Sequence, residues 1–146
     1  GPAPAVDLRR ERALSSSLRS LIGKGLVRSA HDLSDGGLAI ALLESSLAGP
    51  EIRGAELSLP VSMAAEDLLF GESQGRVLIT VSSEDLPAVE EECARREIEI
   101  LRIGRITGSS LRLEQGGQRL EVELAELERL WKGALSEILR PDAEFR

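Results

Sequence analysis

The sequence predicts an α+β fold, a mixed β-sheet layered with α-helices. Three observations carry that prediction. Apolar residues recur at helical spacing in some stretches and at strand spacing in others. The two kinds of stretch mix without the strict strand–helix alternation of a doubly wound fold. Two alternating runs flank Gly116-Gly117, which marks a hairpin, because glycine accepts the positive φ of a tight turn.

Taken in order, "VDLRRERALSSSLRSLIGKGLV" carries Leu8, Leu14, Leu18, Leu21 and Ile22 near helical spacing. Asp7 suits its start, and Gly23 and Gly25 suit its end. "LVRSAHD" reads as a short strand and "GGLAIALLESSLA" as a helix that Gly49 and Pro50 end. "AELSLPV" alternates, so it is a half-buried strand. "AAEDLLFGESQG" is a short helix running into a loop. "RVLITVS" is short, apolar and continuous, which predicts a central strand covered on both faces. "SSEDLPAVEEECARREI" has a serine cap and a helical pattern in Leu86, Val89 and Cys93. "IEILRIGRIT" is a strand, "SLRLEQGGQRLEVEL" the hairpin, and "AELERLWKGALSEILR" an amphipathic helix. The apolar face of that helix is Leu127, Leu130, Trp131, Leu135, Ile138 and Leu139. Residues 1–146 read as a single domain, with 1–6 as an entering linker and 141–146 as a fraying tail.

Composition narrows the function. The net charge of −7 repels phosphate backbones, and aromatics at 2% leave no stacking platform, so nucleic-acid binding is not expected. No apolar run approaches the roughly 20 residues of a membrane span, and no signal peptide is visible, so a cytoplasmic protein is expected. The one cysteine, Cys93, lies in a helical pattern without metal-ligand spacing and reads as a half-buried structural residue.

Two stretches carry chemistry. In "HDLSDGGL" a strand ends near His31, the one histidine, and Gly36 and Gly37 open a helix. Glycines there admit a ligand close to the backbone N–H groups, and the helix dipole favours an anion. Ser34 suits a cap or a phosphate oxygen; Asp32 and Asp35 suit magnesium, a water or a hydroxyl. The plainer reading makes Ser34 or Asp35 an N-cap and leaves Asp32 to satisfy loop amides. In "LFGESQGRVLITV", Glu72, Ser73 and Gln74 stand between glycines just before a strand. Such a loop points three side chains at one ligand, or is an ordinary solvated connection. No second histidine, Cys–His pair or zinc spacing supports a metal enzyme or a nucleophilic triad.

Together, "GLVRSAHDLSDGGLAIALLES" and "LFGESQGRVLITV" closely resemble the last domain of the synthetase subunit of phosphoribosylformylglycinamidine synthase. That subunit falls in the aminoimidazole ribonucleotide synthetase C-terminal-domain superfamily. "PAVDL" and "LWKGAL" extend the resemblance over nearly the whole chain, and "GESQGR" separates it from most relatives, such as thiamine-monophosphate kinase.

The resemblance implies one domain of a larger, glutamine-dependent ligase of purine biosynthesis. That enzyme phosphorylates the amide oxygen of formylglycinamide ribonucleotide with ATP, assisted by Mg2+, and ammonia then displaces phosphate to give the amidine. The implied partners are the other domains of the synthetase and a glutaminase subunit or domain that supplies the ammonia. The resemblance places this chain in the second of two related halves, without the domains that carry the catalytic histidines and most nucleotide and magnesium ligands. The implied roles are therefore binding roles: Ser34, Gly36 and Gly37 facing an anion, Asp32 and Asp35 as polar or magnesium-water contacts, then His31, and Glu72, Ser73 and Gln74 as a ligand-facing loop. The domain by itself is expected to have no synthase activity. The alternative is a structural domain in which the same motifs persist as folding elements and no longer meet a ligand.

Overall fold

The structure, a computed structural model, describes residues 6–139, with the backbone alone at 135–137. Helices and a mixed sheet alternate as the α+β expectation requires. The order is α1 (Leu8–Gly23), β1 (Ser29–Asp32), α2 (Gly37–Leu47), β2 (Ala55–Ser58), α3 (Ala65–Phe70), β3 (Val77–Thr80), α4 (Leu86–Arg95), β4 (Gly104–Ile106), β5 (Ser110–Gln115), β6 (Gln118–Glu123) and α5 (Leu124–Ile138). Where the sequence reads as one domain, the chain divides into two compact units. The first is assembled from the chain up to Ser45 and from Met63–Arg102; the second from Ser46–Ser62 and the chain from Ile103 on.

In the first unit, the Asp7 carboxylate accepts from the amides of Arg9 (2.9 Å) and Arg10 (3.1 Å), so two donors that α1 cannot satisfy internally are met. β1 pairs antiparallel with β3, Ser29 opposite Thr80 and Asp32 opposite Val77. Leu21 of α1 and Val89 and Cys93 of α4 form the core, with Ile79 and Val81 packed against them. Ile79 and Val81 share one face of the pleat. The expectation of a central, doubly covered strand is therefore corrected: β3 lies in a two-stranded sheet and all four of its residues are only half-buried. The strand expected over "IEILRIGRIT" also shortens. Ile98 and Ile100 pack against the helical core, and strand pairing begins only at Gly104. The expected serine cap is corrected: the Ser82 hydroxyl accepts from the Asp85 amide at 3.2 Å in the turn ahead of α4, while the N-cap itself is Asp85, without a side-chain cap bond.

Cys93 is buried rather than half-buried. Burial, and secondarily the neighbouring Glu92 carboxylate, push its thiol up. Because the thiolate is the reactive form, Ellman's reagent at pH 8 is expected to leave Cys93 unmodified in the native chain and to modify it fully in urea. Equal labelling rates in the two states would refute the burial.

The second unit is a four-stranded mixed sheet in the order β4-β2-β5-β6. β2 runs antiparallel to β4 and parallel to β5, and β5 and β6 form the hairpin. Gly116 and Gly117 both take positive φ (+56° and +83°), the twist that suits a two-residue hairpin loop. Ala55, Leu57 and Leu111 are buried, as is Leu124, where α5 begins. Arg105, Glu56, Arg112 and Glu121 make a row of alternating charge across all four strands, joined by bonds of 2.6–3.0 Å. Each exposed pair contributes little. The row as a whole fixes register, because a slip would oppose like charges.

The apolar face expected on α5 is largely exposed in the structure: Leu130 and Trp131 are each 47% exposed and Ile138 59%. The Leu135 side chain, most of the expected linker and the tail lie outside the described residues. Among the described residues no helix is long and apolar enough to cross a membrane.

Candidate functional site

The first unit brings the two chemistry-bearing stretches together. β1 ends at Asp32, and the Leu33 amide continues the pairing by donating to the Arg76 carbonyl at 3.1 Å. The chain then turns through Ser34 and Asp35 into two consecutive left-handed residues, Gly36 (φ +76°) and Gly37 (φ +64°). Only glycine takes that conformation without strain. Gly37 has a second reason to be glycine. A Cβ there would lie 2.8 Å from the Leu69 carbonyl oxygen and 2.9 Å from that of Gly71. What approaches Gly37 closely is thus the chain itself, at the end of α3.

The Gly36 amide donates to Glu72 Oε1 at 2.8 Å, which is the direct link between turn and loop. A carboxylate at that position suits the positive end of α2, and here the chain supplies it. The Gly37 amide donates to the Ser34 carbonyl at 3.3 Å. Arg76 secures the loop from below, with Nη1 donating to the Gly71 carbonyl (2.9 Å) and Nη2 to that of Leu68 (3.1 Å). The Gly75 backbone, also left-handed, sits against the Glu11 carboxylate of α1.

The remaining side chains differ in how far they are committed. The Asp32 carboxyl is held below its ordinary range by the Ser34 hydroxyl above all, then by its own backbone amide and the His31 ring. His31 is half-buried and engaged at both ring nitrogens: Nδ1 lies 2.7 Å from the Asp32 carbonyl oxygen and Nε2 3.1 Å from Glu44 Oε2. Whichever nitrogen carries the proton therefore finds an acceptor, and the ring ties β1 to α2. Asp35, Ser73 and Gln74 are exposed, and their side chains have no partner among the described residues. Those three are the groups free to meet a ligand.

Among the described residues no three His, Cys, Asp or Glu side chains gather to hold a metal ion. Asp32 and Asp35 by themselves do not make a magnesium cage. Magnesium commonly binds through one or two carboxylates together with substrate phosphates, and no step is assigned to it here. Sequence reasoning missed Glu44, Arg76 and Glu11. Two had a signal. Glu44 is the one charged residue in α2, and Arg76 is the sole basic residue between Arg53 and Arg95.

The family model described as "AIR synthase related protein, C-terminal domain" matches residues 2–115. The phosphoribosylformylglycinamidine synthase subunit PurL of Caldanaerobacter subterraneus subsp. tengcongensis is 38% identical over 136 residues, 92% of this chain and 18% of that protein. The same subunit of Moorella thermoacetica is also 38% identical, with the same coverage. The chain spans 18% of the length of these curated relatives. Among solved structures, T. maritima PurL complexed with ATP superposes with a TM-score of 0.74 at 22% identity, over 84% of this chain and 22% of that one. T. maritima PurL complexed with FGAR gives 0.71 at 22% identity, over 80% and 20%. At that identity the likeness speaks for a shared fold.

Proposed function

The chain belongs to the family of AIR synthase related proteins, as their C-terminal domain, and on that premise we propose that it serves within a phosphoribosylformylglycinamidine synthase. The parent enzyme converts formylglycinamide ribonucleotide to its amidine with ATP and ammonia, in the cytoplasm. The ammonia comes from a glutaminase subunit or domain, and the other synthetase domains supply the catalytic groups. This domain contributes a polar wall: Asp35 from the turn, and Ser73 and Gln74 from the loop. The observation that carries the reading is the Gly36–Glu72 bond of 2.8 Å, which docks the loop on the turn and leaves those three side chains unpartnered among the described residues. Neutral and singly charged groups of this kind orient a sugar or amide by hydrogen bonding. His31, Asp32 and Ser34 hold the turn in shape, and Gly36 and Gly37 admit the loop. Arg76 ties the start of the loop at Gly71 to the end of α3 at Leu68.

The same bond favours a second reading. Glu72 already fills the anion position at the start of α2, as expected of a domain whose ligand site survives only as architecture. Substitution in the complete synthetase separates the two. Ser73→Ala/Gln74→Ala is expected to lower kcat/KM about tenfold or more with the melting temperature unchanged, since it removes hydrogen bonds to ligand and none within the domain. An unchanged kcat/KM would sink the first reading. Under the second, Glu72→Ala lowers stability by about 1 kcal/mol, one charge-assisted hydrogen bond, and leaves turnover as it was. The chain without its partner domains is expected to show no synthase activity.

A further inference from the structure

The first unit carries a groove that shares no residue with the turn or the loop. It is about 460 Å³ in volume and lies between α1 and the end of α4. Arg9, Arg12 and Ser16 line it from α1, and Arg95, Arg96 and Glu97 from the other side. Four guanidinium groups around one groove stand out in a chain of net charge −7.

Two of the four are held in place. The Glu92 carboxylate, with its side chain only 5% exposed, accepts from Arg95 Nη2 at 2.7 Å and Arg96 Nε at 3.0 Å. It also pairs with Lys24 at 3.0 Å. One carboxylate thus fixes three cations, and the terminal nitrogens of Arg96 stay without a partner among the described residues. On the opposite wall, Arg9 and Arg12 are three residues apart on α1, so they are neighbours on its surface. Neither has a carboxylate partner among the described residues. Counting every acid paired to these groups or lining the groove, five cations meet three carboxylates, Glu91, Glu92 and Glu97.

We propose that this groove binds a polyphosphate anion. Guanidinium forks match phosphoryl oxygens two at a time. The groove is open and larger than a single phosphate. The lining offers charge and one hydroxyl but no aromatic ring, so it recognises phosphoryl groups and not a base. Pre-fixing Arg95 and Arg96 on Glu92 lowers the ordering cost on binding. The inference is independent of the function proposed above.

Calorimetric titration of the full chain with pyrophosphate and tripolyphosphate tests it, with circular dichroism confirming the fold of each variant. Saturable binding is expected, tighter for tripolyphosphate and weakening as salt is raised. Arg9→Gln/Arg12→Gln should weaken it about tenfold or more; Arg129→Gln, which removes a positive charge on α5, should leave it within about twofold. Glu97→Gly should tighten binding at no loss of stability, because it removes the lining carboxylate at a residue whose φ of +57° suits glycine. ADP should bind no more tightly than pyrophosphate, since the lining has no ring to hold a base, and tighter ADP binding would overturn that reading. The proposal is overturned if no saturable binding occurs at millimolar anion, if Arg129→Gln weakens binding as much as the double variant, or if a poly-glutamate peptide binds more tightly than tripolyphosphate.

Discussion

Gly37→Ala is expected to destabilise the chain by about 2–5 kcal/mol, well beyond the ordinary cost of alanine for glycine. Two contributions add. The residue sits at φ +64°, where any Cβ strains the backbone by about 1–2 kcal/mol. The methyl group would also press on main-chain atoms of Leu69, Phe70 and Gly71 at 2.8–2.9 Å. Main chain cannot rotate aside as a side chain does, so the end of α3 must move, and the Glu72 bond to the Gly36 amide moves with it. Gly108 provides the control. Its φ is also +64°, but nothing lies within 4 Å of a Cβ built there. Gly108→Ala therefore reports strain alone, and the difference between the two in urea denaturation isolates the crowding. Equal losses would remove the case that Gly37 exists to admit α3. In the synthetase proposed as its parent, the proposed role of the loop predicts that Gly37→Ala lowers turnover further than Gly108→Ala, because it shifts Ser73 and Gln74.

Glu92→Gln is expected to lower the melting temperature by roughly 5–10 °C at pH 7, since an amide leaves three cations crowded around a buried, neutral group. The pH profile makes this specific. Lys24 above all, then Arg96 and Arg95, hold the Glu92 carboxyl down at about 2, against an ordinary 4.5. Above pH 4.5 it is ionised in both folded and unfolded chains, and its full stabilisation is present. As pH falls from 4.5 towards 2 the unfolded chain takes up the proton first, and the stabilisation is progressively lost. The difference between wild type and Glu92→Gln should therefore be constant from pH 5 to 7 and shrink below pH 4.5. A difference at pH 3 as large as at pH 7 would show that the ion cluster contributes nothing.

Features that rest on neighbouring residues were legible in the sequence. Asp7 caps α1, Gly116 and Gly117 turn the hairpin, and helical spacing marks α2 and α4, because each depends on a few adjacent residues. The α+β class followed from their order. Pairings across distance were not legible. "RVLITVS" has the composition of a strand covered on both faces, yet its composition does not say how many strands flank it. Ile98 and Ile100 read as strand, and the core of the first unit claims them instead. The candidate site divides the same way. The residue types in "DLSDGG" and "GESQ" were plain, but the glycines were read as admitting a ligand, and what the structure brings against Gly37 is the end of α3. That Glu72 reaches back 36 residues to Gly36, and that Arg76 grips two carbonyls, depends on how β1 and β3 pair.

That pairing also sets a timetable for synthesis. Ser29 of β1 waits 51 residues for Thr80, and Glu56 of β2 waits 49 for Arg105. At ribosomal rates each interval lasts about 3–10 s. During it α1 and α2 can form their own hydrogen bonds, but both early strands leave the ribosome as unpaired edges. The nascent chain is thus most exposed to capture by a chaperone, or by another copy of itself, before residue 80 appears.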